Sequence, residues 1–386
     1  MSVTAPAGFT ASGITAGIKD SGKPDLALVV NTGPEFVAAA VTTPNRFCAA
    51  PVYLTREVAE GGRAKAVVLN SGGANACTGE RGMDDAYAMA EQTAAQVGCE
   101  PGEVMVCSTG LIGAFLLMDI VTAGIAQAAY ALSDSGGEDA AVAIMTTDTV
   151  PKTAQVSTAG FTVGGMSKGA GMLNPAMATM LAVITTDAAV SVEVAQRALQ
   201  AGVAVSFNRM DSDGCQSTND TVILLANGAS GVSASEADLT AAVTEVCTSL
   251  TKQMLADAEG ASHTIAVTVS GAASEAAAEA AARTVTSSNL FKAAIFGGDP
   301  NWGRILSALG TLPEDECPYD REAVSVAMNG TPIFAGGAPQ DGASSVDLSA
   351  HDVTVDIDLA AGEACVTVWT NDLTHDYVEE NSAYST

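Results

Sequence analysis

The 386-residue sequence predicts a layered α/β protein, and three observations carry that prediction. Short apolar runs rich in β-branched residues alternate with Ala-rich stretches of helical length, which is how packed layers of helix and sheet read in sequence. Hydrophobic residues make up 48% of the chain, enough to fill one large core or two ordinary ones without disulfides or metals. Aromatic residues are only 4%, which leaves Ala, Gly, Val, Thr and Ser as the bulk of the packing material and suits closely stacked layers.

Asp25–Val30, Ala66–Leu69 and Glu103–Cys107 read as strands, with a helix over Asp84–Val97 between the last two. Two of these strands run straight into small-residue loops, Asn70–Asn75 and Ser108–Gly110, and loops at strand ends are where sites are built. Leu111–Leu132 is long and apolar. Asp119 in its middle would cost roughly 2.5–3.5 kcal/mol at a bilayer centre, and Gly113, Gly124 and Gln127 weaken a membrane reading further. The segment therefore reads as a loop entering a buried helix. A glycine-rich stretch, Gly164–Gly171, precedes the run Thr179–Thr185, which is apolar enough for a strand buried on both faces with Thr179 at its first position. Val190–Val205 and Glu236–Ala258 follow as helices, Thr221–Leu225 and Thr264–Val269 as strands. The texture changes near residue 272, so the expected division is a domain over 1–271 and a smaller α+β domain over 272–386. Within the latter, Val353–Leu359 and Ala364–Thr370 alternate around Ala361-Gly362-Glu363 and predict a β-hairpin.

Asp and Glu number 44 against 16 Lys and Arg, a formal net charge of -28, which argues against nucleic acid and anionic membranes as partners. Such a charge reads first as a solvated acidic surface and says nothing of the reaction. The 8 cysteines lie far apart with no CxxC, and only 3 histidines could join a metal site, a pattern of reduced cytosolic thiols that predicts no bound metal. Cys107, after Val104-Met105-Val106, reads as a buried structural thiol. The first fifteen residues lack a basic region followed by an apolar stretch, so the expectation is a cytoplasmic protein without signal peptide or membrane span.

No Walker loop, HExxH or GxSxG is present, and His263, His351 and His375 do not lie beside serine-bearing motifs. A hydroxyl can still be activated without histidine or metal when it belongs to the first residue of a chain. Its own α-amine, with a pKa of roughly 7.7–8.0, then serves as the base. An internal threonine needs a cut first, and the same chemistry can make it: the hydroxyl attacks the preceding carbonyl, the acyl group shifts from nitrogen to oxygen, and water hydrolyses the ester. Thr179, after Lys168-Gly169-Ala170-Gly171-Met172-Leu173-Asn174-Pro175, is placed for this, because a tightly turned backbone would strain the bond to be cut. On these residues alone the cut is feasible and no more. A threonine opening a strand after a glycine-rich turn is ordinarily only that, Lys168 a solvated turn residue, and Glu259 a charge at a helix end.

The segment Ser167–Leu181 nevertheless resembles the self-cleavage motif of the ornithine acetyltransferase (glutamate N-acetyltransferase) family of arginine biosynthesis. Five further blocks agree in order: Asn70–Cys77, Cys107–Gly113, Ile144–Thr149, Gly298–Arg304 and Tyr377–Thr386. The resemblance spans essentially the whole chain. It implies a fold similar to the self-processing DmpA-type aminopeptidases, with N-terminal-nucleophile chemistry and cleavage between Ala178 and Thr179 into chains that stay associated as an α2β2 heterotetramer. Thr179 would take the acetyl group of N-acetylornithine and pass it to glutamate. Thr109 and Gly110 would form the oxyanion hole; Thr146, Lys168, Thr179, Glu259, Asn381 and Thr386 would bind substrate, the C-terminal domain completing the site. No cofactor is implied, and acetyl-CoA stands open as a second donor.

The chemistry suits those residue types, since both amino-acid substrates carry an α-carboxylate that wants a cation such as Lys168 and a backbone end that Asn381 and Glu259 could fix. Trp302 and Arg304 in the DPNWGR loop read as structural support. The chain departs from the family at Ser262-His263, where Thr-Lys is usual, at Leu117, where proline is usual, at Ala114 and Phe115, which replace more polar residues, and at Gly214-Cys215-Gln216. None touches Thr179. Two other readings stay open at this point: an aminopeptidase or amidase on the same scaffold, in which water takes the acyl group, and a non-catalytic amino-acid-binding homologue.

Overall fold

The computed structural model describes residues 2–158, 160–173 and 180–383. The described residues divide into two compact units, the first within 2–208 and 215–257 and the second within 209–214 and 258–383.

The first unit holds the strands β1 (Phe9–Ile14), β2 (Leu26–Asn31), β3 (Val37–Thr42), β4 (Ala66–Ser71), β5 (Val104–Thr109), β6 (Lys152–Ser157), β7 (Thr162–Lys168), β8 (Leu181–Thr186) and β9 (Thr221–Ala226). Its helices are α1 (Ala50–Glu60), α2 (Gly79–Val97), α3 (Met118–Tyr130), α4 (Gly137–Ala143), α5 (Val192–Ala204) and α6 (Glu236–Ala256). Among the described residues the strands form two sheets, in the orders β1-β2-β4-β5 and β3-β9-β8-β7-β6. The sheets face one another. Ala27, Val29, Val67, Leu69, Met105 and Cys107 from one meet Met166, Leu181, Val183, Ile223 and Leu225 from the other in a single buried cluster. The alternate residues Leu26, Leu28, Val68 and Val106 point outward and bury against α1, α2 and α3. On the far side of the second sheet, α5 and α6 pack against its strands. The result is four layers, helix, sheet, sheet and helix. Strands buried on both faces read as continuous apolar runs, which is why β2, β4, β5, β8 and β9 were visible in the sequence.

Most of the glycine-rich stretch before residue 171 is strand: β7 runs through Gly164 and Gly165 to Lys168. A Cβ on Gly165 would stand 2.8 Å from Val246 and 2.9 Å from Ile184, so the missing side chain lets α6 lie close on the sheet. The Leu111–Leu132 segment is a loop leading into α3, and among the described residues no helix is long and apolar enough to cross a membrane.

The second unit contains β10 (Thr264–Ala272), β11 (Ser325–Met328), β12 (Thr331–Ala335), β13 (Ala338–Pro339), β14 (Asp352–Asp358) and β15 (Ala364–Asn371), with α7 (Glu275–Thr286), α8 (Asn289–Phe296), α9 (Trp302–Leu309) and α10 (His375–Ala383). Its sheet runs β13-β12-β11-β14-β10-β15. The predicted hairpin is therefore wrong. β14 and β15 do not pair; β10 lies between them, parallel to β14 and antiparallel to β15. The same strand explains why this unit begins at Ala258 rather than near residue 272: β10 is an inner strand of its sheet, and Ile265, Val267 and Val269 belong to its core.

Candidate active site

The site is built at the ends of strands. β4 and β5 run parallel and both finish at the same edge, Ser71 opposite Thr109. The two small-residue loops that follow are tied to each other. Asn70 Nδ2 donates to the Gly73 carbonyl at 3.0 Å, and the Ser108 hydroxyl donates to Asn70 Oδ1 at 2.5 Å. Asn219 Nδ2 reaches the carbonyls of Ala74 at 2.6 Å and Ser108 at 2.8 Å. Gly110 follows Thr109 at φ +127°, and a Cβ there would lie 2.8 Å from the Gly73 nitrogen and 2.9 Å from the Gly72 carbonyl carbon. Both the backbone angle and the space demand glycine. Gly110→Ala should therefore displace the 72–73 loop. If the Gly110 amide stabilises an oxyanion, kcat falls about 10²–10³-fold; steady-state kinetics with a melting curve in parallel separates this from loss of fold.

Lys168 ends β7 opposite Leu181, the first residue of β8. It is not the solvated residue that its type suggests: only 2% of it is exposed. Its Nζ lies 3.5 Å from the Thr109 hydroxyl oxygen, so the ends of β5 and β7 bring two predicted site residues together. Thr146 is joined to this pair through Asp148. One Asp148 oxygen accepts the Thr146 N–H at 2.9 Å and the other the Gly169 N–H at 2.7 Å. Asp148 is in turn held by Lys152 Nζ at 2.5 Å, and Lys152, fully buried, also donates to Asp257. Burial alone would push the Asp148 carboxyl up, but Lys168, Lys152 and the amide bonds outweigh it and hold the group down at about 2. Lys19 stands nearby, donating to the carbonyls of Met145 at 2.7 Å and Pro24 at 2.9 Å. Burial lowers its pKa to about 8, with Lys168 adding to the effect and Asp25 and Asp148 opposing it.

Glu259 and Asn381 belong to the second unit. Glu259 is buried rather than a helix-end surface charge, and it lines a cavity of about 270 Å³ with Asp211, Lys292, Asp372 and Tyr377. Asn381 is exposed on α10 and donates to the Tyr377 carbonyl at 3.1 Å. Ala178, Thr179 and Thr386 lie outside the described residues.

The remaining sequence candidates are structural in their surroundings. His263 Nδ1 lies 2.8 Å from Asp372 Oδ2 and 3.1 Å from the Ser262 hydroxyl, and its Nε2 2.9 Å from the Leu348 carbonyl, so the Ser262-His263 departure is fastened to Asp372. Trp302 stacks on Phe334 with ring centres 5.3 Å apart, and Arg304 donates to the Leu290 carbonyl at 2.6 Å. Cys107 is buried, and burial pushes its thiol up to about 12. Sequence reading missed Asp148, Lys152, Asp257, Asn219 and Lys19 as members of the site. Asp148 sat inside one of the quoted blocks, but it accepts an amide two residues back rather than two residues on, so it is not the usual aspartate turn and no local pattern marked it.

A buried cation beside the Thr109 hydroxyl at strand ends suits a reaction at a carbonyl group, as an acyltransferase requires. The ArgJ family model matches residues 10–386. The arginine biosynthesis bifunctional protein ArgJ of Streptomyces coelicolor is 55% identical over 385 residues, and that of Bifidobacterium longum 54% identical over 389, each alignment covering 100% of both chains. A crystal structure of ornithine acetyltransferase complexed with ornithine, from Mycobacterium tuberculosis, is 51% identical and covers 47% of this chain and 96% of its own, at a TM-score of 0.45. The chain belongs to the ArgJ family of arginine biosynthesis.

Proposed function

We propose that this chain is a glutamate N-acetyltransferase that moves acetyl from N2-acetylornithine to glutamate through an acetyl ester on Thr179. Identity to arginine-biosynthesis relatives over their full length supports the pathway. The observation that carries the chemistry is Lys168, buried 3.5 Å from the Thr109 hydroxyl at the strand ends that flank the start of β8. A cation so placed holds a substrate carboxylate beside the Thr109-Gly110 backbone, where a developing oxyanion can be stabilised.

The steps balance without a cofactor. In processing, Thr179 Oγ attacks the Ala178 carbonyl, the Ala178-Thr179 C–N bond breaks, and water hydrolyses the ester to leave a carboxylate on Ala178 and a free amine on Thr179. In transfer, that amine takes the hydroxyl proton as Oγ attacks the acetyl carbonyl. It returns the proton to the departing α-amine of ornithine. The α-amine of glutamate then attacks the ester, and its proton passes back to Oγ as N-acetylglutamate leaves. The two products of processing remain together as an α2β2 assembly in the cytoplasm, and acetyl-CoA is a second acetyl donor to be assayed beside N-acetylornithine.

Incubation with N-acetylornithine in the presence and absence of glutamate tests the reading. Ornithine release should depend on glutamate and be matched by N-acetylglutamate. Acetate release that ignores glutamate would replace the transferase with a hydrolase.

A further inference from the structure

Met180, immediately before β8, is held from two sides. Its N–H donates to Asp220 Oδ1 at 2.9 Å, and its carbonyl accepts the Thr221 N–H at 3.1 Å. Asp220 stands just before β9 with none of its surface exposed. Its second oxygen, Oδ2, is buried and has no hydrogen-bond partner of good geometry among the described residues. A carboxylate in that position would leave charge buried and poorly paired, which is costly, whereas a carboxylic acid would not. Burial accordingly pushes the Asp220 pKa well above the ordinary aspartate range, although the Met180 amide, Lys168 and the Ser217 hydroxyl all pull it down. The charged group that faces Asp220 is Lys168 of β7, itself flanked by Asp148 and Lys19.

We propose that Asp220 is a positioning residue for the nucleophile: by accepting the N–H of the Thr179-Met180 peptide bond, it fixes the chain on the far side of Thr179 from the bond that is cut. The proposal rests on Thr179 being the residue freed by cleavage. Asp220 makes no bond to substrate; it acts through the backbone. In its neutral form it serves as an acceptor without neutralising Lys168, whose charge stays available to a substrate carboxylate.

The test uses the full-length chain with Asp220→Asn and Asp220→Ala. Asparagine keeps an oxygen acceptor and no charge, so cleavage and kcat should stay within about threefold of wild type. Alanine removes the acceptor, and cleavage followed by mass spectrometry should slow at least a hundredfold in protein that still melts cooperatively. A second readout holds even if the alanine variant fails to fold. The folded state keeps a proton on Asp220 that the unfolded chain releases above pH ~4, so wild-type stability should fall relative to Asp220→Asn as pH rises from there toward the raised pKa. Parallel melting curves of the two proteins between pH 4 and pH 9 would instead show an ionised carboxylate and overturn the neutral anchor. Cleavage of Asp220→Ala at the wild-type rate, or of Asp220→Asn as slowly as Asp220→Ala, would overturn the positioning role while leaving Thr179 as nucleophile. A wild-type chain that stays intact overturns both.

Discussion

Thr179→Ala should leave a single intact 386-residue chain and no measurable acetyl transfer, while the wild type should yield two chains, 1–178 and 179–386. The expected size of the loss follows from the mechanism. In the proposed mechanism one hydroxyl attacks the Ala178 carbonyl and later the acetyl carbonyl, with no second nucleophile to stand in for it. Removing a nucleophile that works as a unit with its base costs about 10⁴-fold or more in kcat. Thr179→Ser separates the two roles of the residue: it keeps the hydroxyl and the future amine, so it should still be cut, at a reduced rate set by a freer side chain. Intact-mass spectrometry of the three proteins checks processing, and ornithine release checks turnover. Cleavage of Thr179→Ala at the same bond would remove the basis of the proposed function.

The second large effect is on stability. Lys152→Met should lower stability by about 3–5 kcal/mol, because it strands Asp148 and Asp257 on the inside of the first unit with their shared cation gone. The melting temperature should fall by roughly 6–20 °C at the usual proportion of a few degrees per kcal/mol. Activity should suffer as well. Asp148 holds the amides of Thr146 and Gly169, so KM for N-acetylornithine should rise in whatever fraction remains folded. The acid side gives an independent check with a definite sign. Asp148 is held at about 2, below its unfolded value of ~3.9, so its contribution is present above pH ~4 and disappears as pH falls through about 2. A Lys152→Met protein that melts within a degree or two of wild type would show that the network is not stabilising.

The fold was legible where burial on both faces writes itself as an apolar run, as in β4, β5, β8 and β9, and where helices carry a periodic stripe, as in α2, α5 and α6. Pairing was not. The alternation in β14 and β15 was read correctly, but the insertion of β10 between them is a contact across roughly ninety residues, and nothing local encodes it. The site divides in the same way. Thr109, Lys168 and Thr146 could be proposed from motif blocks because each block is contiguous. Asp148, Lys152 and Asp257 form a network only after two segments about a hundred residues apart have met, and Asp220 is an unremarkable aspartate until Met180 is laid against it. Lys168 shows the limit of residue type as a guide: a lysine beside glycines reads as exposed, yet it closes a buried strand.

The order of strands in the second sheet of the first unit bears on how the enzyme must be made. A cut before Thr179 assigns β3, β6 and β7 to one polypeptide and β8 and β9 to the other, yet β9 pairs with β3 and β8 pairs with β7. The fragments interleave like fingers of two hands. Neither can complete the sheet alone, and each would present open edges to any neighbouring chain in the cell. If the proposed cut is made, synthesis as one precursor is then an assembly device: folding would establish the shared sheet at an effective concentration that two separate genes could not supply.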